Sequence, residues 1–156
     1  MFKILIETDG FPSAQEALKF ASDLCHHISD CEVTVIHVLD TMMLASAMAA
    51  PSGMAMPNAS GIFSELQKMS AQLLEEARGQ LGAQGVKAIT CSQAGPPARV
   101  ICDVAENEGF RLVIRGHSGT GRATETIIPV QGIIALWRSA PLPDSRALLL
   151  AHASIS

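Results

Sequence analysis

Two stretches of this chain combine residue types and spacing that could bind a phosphorylated or hydroxylated ligand. The first is 112–119, Leu-Val-Ile-Arg-Gly-His-Ser-Gly, an apolar run that ends in two glycines separated by two polar residues. Gly116 and Gly119 let backbone turn sharply and present bare amides to a phosphate or ribose, and Ser118 adds a hydroxyl donor. The second is 2–10, where a short apolar run meets Thr8-Asp9-Gly10. A carboxylate there can accept from a ribose hydroxyl or an adenine amino group, with Thr8 as a weaker companion. Both are strand-to-turn exits, the place where a parallel α/β sheet holds its ligand.

Other chemistry is harder to build. His26 and His27 are adjacent on an expected helix and diverge, His37 lies in an expected strand, His117 in an expected loop and His152 in a tail. No His-x-x-x-His or Cys-x-x-Cys spacing offers a metal site. A nucleophile elbow and a P-loop with its lysine are also missing, so neither catalytic nor metal-ligating residues are expected. Cys25, Cys31, Cys91 and Cys102 read as reduced core thiols.

The elements that must position these exits follow from periodicity. Strands are expected over 2–6, 31–39, 86–92 and 110–115, with a weaker fifth at 146–151. Helices are expected over 14–27, with Ser13 and Glu16 as a capping box, then 63–81, and from Pro97 to about 108. The segment 132–138 has a helical look. Between 41 and 61 charges vanish and Met, Ala, Ser, Pro and Gly dominate, which reads as a flexible loop with a short helical piece, or an adaptable partner surface. The order implies one α/β domain over 1–151, an open doubly wound parallel sheet of about five strands with helices on both faces, and a tail at 152–156.

Bulk composition agrees. With 156 residues, 48% apolar and 17% charged, the chain can bury a substantial core. A net charge of −4 and no basic stripe argue against nucleic acid. No run approaches a membrane span, and early acidic residues do not suit a signal peptide, so a cytoplasmic location is expected.

These motifs together resemble the universal stress protein family. The resemblance rests on Lys3-Ile-Leu-Ile-Glu-Thr-Asp9-Gly10, on Gly95-Pro96-Pro97-Ala98, and on Leu112-Val-Ile-Arg-Gly116 running into His117-Ser118-Gly119. It covers most of the chain and is strong through Gly121. Many members bind ATP, and some do not. The resemblance implies that Asp9 contacts the adenosine moiety, that backbone at Val38 holds adenine, and that Gly116, Ser118 and Gly119 approach ribose and phosphate. It also implies a homodimer through the last strand.

Two departures qualify that expectation. Pro129 and Val130 stand where the family signature has a glycine and a hydroxyl residue, and Arg115 stands where it favours an apolar one. ATP binding is therefore expected to be weak. The alternative is an interaction module that keeps the fold without nucleotide. A phosphoacceptor receiver shares the outline but needs an acidic cluster, an aspartate after the third strand and a late lysine; Asp9 stands alone here, and no lysine follows Lys87.

Overall fold

In a computed structural model of the chain, which describes residues 1–10, 12–48, 59–117 and 133–138, five parallel strands form one sheet in the order β3-β2-β1-β4-β5. The strands are β1 (Phe2–Glu7), β2 (Cys31–Asp40), β3 (Ala88–Gly95), β4 (Leu112–His117) and β5 (Ile133–Arg138). The helices are α1 (Pro12–His27), α2 (Thr41–Met48), α3 (Ala59–Ala83) and α4 (Pro97–Asn107).

β1 is central because its side chains are apolar on both faces. Ile4, Leu5 and Ile6 are all fully buried. Ile4 and Ile6 join Val33, Val35, Leu112 and Ile114 in a core closed by Ala17, Leu18 and Ala21 of α1 and by Leu74, Ala77 and Leu81 of α3. Leu5, Ile36, Val38 and Val113 face the other way, onto Ile101, Val104 and Ala105 of α4. At roughly 1.5–3 kcal/mol for each large side chain fully buried, these two layers supply the main driving force for the fold. The chain winds from β1 outward to β3, then returns past β1 to β4 and β5. That reversal leaves a crevice beyond the carboxyl ends of β1 and β4.

The doubly wound parallel sheet matches the sequence expectation, and several details do not. The fifth described strand is β5, a segment expected to be helical. Its continuous apolar run Ile133-Ile-Ala-Leu-Trp137 has no period that separates the two states, and pairing with β4 from Leu112↔Ile133 to His117↔Arg138 decides for strand. The expected strand at 146–151 lies outside the described residues. β3 runs three residues past its expected end because its ladder follows β2 as far as Asp40↔Gly95. His117 closes β4 and is not a loop residue. Pro12 already belongs to α1, so the helix begins ahead of the expected Ser13 start.

The segment 41–61 contains the short helical piece expected of it. It opens with α2, and its last three residues already belong to α3; residues 49–58 lie outside the described ones. The four cysteines are not all reduced. α1 ends four residues before β2 begins, which brings the Cα atoms of Cys25 and Cys31 to 5.5 Å, and the two are joined as a disulfide. Cys91 and Cys102 are free thiols, and burial pushes both above the ordinary thiol pKa.

Candidate functional site

The strand ladders set the geometry of the crevice. Glu7 is level with Ile36 of β2 on one side and with Arg115 of β4 on the other. One step further the chain leaves β1, and the Thr8 N–H donates to the Ile36 carbonyl at 2.9 Å. Thr8 is buried and Asp9 half-buried. Val38 is buried two positions along β2 from Ile36, and Gly116 follows Arg115 in β4, opposite Trp137 of β5. Four of the expected site residues, Thr8, Asp9, Val38 and Gly116, thus reach the same edge of the sheet. Ser118 and Gly119 lie outside the described residues.

Gly10 shapes the turn that carries Asp9. Its φ is +79°, in the left-handed region, and a Cβ there would lie 2.7 Å from Leu73 Cδ2 on α3. The site's first loop is therefore clamped between the sheet and the long helix α3.

Sequence reasoning passed over three groups at this edge. Glu7, a buried residue, forms an ion pair through its Oε2 with Nε of Arg115 on the neighbouring strand, although no N–H is aimed well enough to make a hydrogen bond. Burial raises the Glu7 pKa, the Arg115 guanidinium opposes that rise, and the Asp9 carboxylate adds to it. The even spacing of Leu5 and Glu7, together with Val113 and Arg115, could have announced two charges on the α4 face of adjacent strands.

The third group is His37, on the opposite face. Its Nδ1 is 2.8 Å from Ser70 Oγ, and burial lowers its pKa, with the Asp9 carboxylate acting in the opposite sense. Burial thus favours the neutral form of the imidazole. Ser70 comes from α3, 33 positions along the chain, so no local motif signals the contact.

Among the described residues, no cluster of three or more His, Cys, Asp or Glu could hold a metal ion, and no helix is long and apolar enough to cross a membrane.

Comparison with known proteins agrees with the fold and with the motifs. The chain is 26% identical over 131 residues to the universal stress protein YxiE of Bacillus subtilis (strain 168), covering 81% of this chain and 85% of that protein. It is 30% identical over 128 residues to the universal stress protein Sll1654 of Synechocystis sp. (strain ATCC 27184 / PCC 6803 / Kazusa), covering 81% and 74%. Among solved structures, the universal stress protein UspA of Lactobacillus plantarum superimposes with a TM-score of 0.61 at 18% identity, over 88% of this chain and 97% of that one. A universal stress family protein of Burkholderia pseudomallei gives 0.57 at 18% identity, over 74% and 80%. At such identities the structural likeness speaks for the fold. The sequence model of the universal stress protein family matches residues 1–129, most of the chain and both strand exits, and the chain belongs to that family.

Proposed function

We propose that this protein is a small cytoplasmic universal-stress-type protein of the stress response that binds an adenine nucleotide weakly, acts as a homodimer and is not an enzyme. The observation that carries the nucleotide reading is the convergence of Thr8, Asp9, Val38 and Gly116 on the carboxyl edge of three adjacent strands at the point where the sheet reverses direction. Asp9 would accept from the nucleoside. Backbone at Val38 and Gly116 would line adenine and ribose, and Ser118 with Gly119 would complete the turn toward phosphate.

Weakness follows from the second half of the signature. Pro129 has no amide hydrogen and Val130 no hydroxyl, so two donors to phosphate are missing. Each donor to a charged group is worth about 1.5–3 kcal/mol, roughly tenfold to a hundredfold in affinity. ATP should therefore bind little better than adenosine. Calorimetry with both ligands tests this, and tight, ATP-selective binding by the unaltered chain would overturn it. For the dimer, the pairing element would be the expected last strand at 146–151, which lies outside the described residues. Sedimentation that gives a monomer at high micromolar protein would refute the pairing.

One observation favours the alternative of an interaction module without nucleotide. The Glu7–Arg115 pair sits where β1 and β4 open into the crevice, and the guanidinium is already engaged by a carboxylate of this chain. Acid extraction of the purified protein decides between the readings: released adenine nucleotide supports the first, and its absence together with flat calorimetry supports the second.

A further inference from the structure

The face of the sheet under α3 carries a second constellation, adjoining the crevice through Asp9. His37 and Ser92 are register partners on β2 and β3. Ser70 of α3, fully buried, descends between them, 2.8 Å from His37 Nδ1 and 2.8 Å from Ser92 Oγ. Ser92 is exposed and lines a solvent-open depression of about 390 Å³ between α3 and β3, with Gln67, Ala71, Leu74, Glu75 and Thr90. That volume is in the range of small-molecule sites. We propose that Ser92 is an acyl-accepting hydroxyl whose proton is drawn through Ser70 to His37, and that its donor is a small uncharged ester or thioester seated in this depression.

The hydrogen-bond arithmetic permits this direction of proton flow when His37 accepts at Nδ1. Ser70 has one proton to donate. With His37 neutral and accepting at Nδ1, Ser70 donates to the imidazole and Ser92 donates to Ser70. An exposed serine has water available, yet this one turns its hydroxyl inward onto a buried chain that ends in a base. Ala71 and Leu74 give the depression an apolar wall for an acyl group. Glu75, on the rim, is paired with Arg78 at 2.7 Å, so the lining presents no unpaired cation to an anionic donor such as an acyl phosphate.

The step balances without another reactant. Ser92 Oγ attacks the carbonyl carbon, its proton moves to Ser70 Oγ, and the Ser70 proton moves to His37 Nδ1. The Asp9 carboxylate favours the imidazolium so formed. The adduct collapses with cleavage of the bond to the leaving oxygen or sulfur, which takes the proton back as alcohol or thiol. The product is one acyl-serine per chain, so the proposal concerns a modification site and does not require turnover. Among the described residues, Asp9 of the β1–α1 turn acts on His37 through its charge, Ser70 of α3 is its hydrogen-bond partner, and the uncharged Ser92 of β3 is its register partner.

The full-length protein is incubated with p-nitrophenyl acetate, quenched in acid and read by intact and peptide mass spectrometry. One acetyl group on Ser92 is expected. Ser92→Ala should abolish that label, and Ser92→Cys should restore acylation at the same position. His37→Gln should slow labelling at least tenfold, in keeping with the roughly 10²–10⁴-fold worth of a positioned base. The rate should rise as His37 loses its proton, with a midpoint below the ordinary histidine pKa of about 6.5. A circular dichroism melt of each variant separates misfolding from lost chemistry, and Ser92→Cys, on an exposed side chain, keeps the test open if His37→Gln fails to fold. Acetylation confined to lysines, or a labelling rate that ignores His37 in a folded variant, overturns the proposal.

Discussion

Replacing Arg115 by leucine tests how the crevice tolerates a buried charge, and its cost can be bounded from the structure. Removal of the guanidinium leaves the Glu7 carboxylate, only 8% exposed, without its counter-ion. Breaking a buried pair typically costs about 3–5 kcal/mol. Arg115 is one-third exposed, so water screens the pair and the lower end, about 3 kcal/mol, applies. A second route sets a ceiling, because an unpaired Glu7 can take up a proton instead. Starting from the ordinary value of 4.5, protonation at pH 7.5 costs about 4 kcal/mol, and at pH 5.0 only about 0.7 kcal/mol, at 1.36 kcal/mol per pH unit.

The sign follows from the direction of the Glu7 shift. Its pKa is raised in the folded protein, so its contribution is most favourable below the unfolded value and is lost as pH rises through the folded one. Without Arg115 that window extends upward. Urea denaturation of Arg115→Leu should therefore show a loss of about 3 kcal/mol at pH 7.5, or about 6–12 °C in Tm. At pH 5.0 the loss should fall below about 1 kcal/mol. Adding Glu7→Gln should remove most of the pH dependence, and the double change Glu7→Leu with Arg115→Leu should return stability to near the parent's. An equal loss at both pH values, or one below about 0.5 kcal/mol at pH 7.5, would refute this account of the pair.

Other outcomes follow from single contacts. Ser22 is fully buried on α1 with its hydroxyl unpartnered, so Ser22→Ala should raise stability by about 1 kcal/mol in the same assay. Gly10→Ala should lower it by about 1–3 kcal/mol, since the new methyl meets Leu73 at a left-handed φ; a neutral result would show that the turn relaxes freely. Thiol titration of the unreduced, denatured chain should find two reactive cysteines and not four, with Cys25 and Cys31 recovered in one peptide pair by mass spectrometry. Reduction should lower stability by about 2 kcal/mol through the small loop that the disulfide closes. Pro129→Gly with Val130→Ser should tighten ATP at least tenfold more than adenosine, read by calorimetry, because it restores two phosphate donors.

The parts of the fold legible in the sequence are those in which one residue type repeats with a clear period or ends at a clear stop. β1 could be read because Ile4, Leu5 and Ile6 form a run buried on both sides. α4 could be read because Pro97 opens it and Gly109, at φ +69°, follows its end. The end of β3 could not, since Gln93, Ala94 and Gly95 lie on an edge strand where the ladder to β2 keeps the chain extended without an apolar pattern. β5 was ambiguous for the opposite reason. Every residue from Ile133 to Trp137 is apolar, and only pairing with β4 distinguishes strand from helix.

The site divides along the same line, between information held in neighbouring residues and information held in register. Thr8, Asp9 and Gly116 were visible as candidates because a strand exit is local: apolar run, then glycine and polar residues. The charges that act on them were not. Glu7 and Arg115 are 108 positions apart and become neighbours only through the β1–β4 ladder. His37 meets Ser92 through the β2–β3 ladder, and both meet Ser70 through the packing of α3. Side chains on a strand alternate between faces, so the same register that puts Glu7 and Arg115 toward α4 puts His37 toward α3. One sheet thus carries an ion pair on one face and a neutral proton relay on the other, and Asp9, at the rim, acts electrostatically on both Glu7 and His37. A ligand that neutralised Asp9 would ease the burial of Glu7 and withdraw support from a protonated His37. Occupancy of the crevice should therefore be felt by the relay through charge alone, without any movement of the strands.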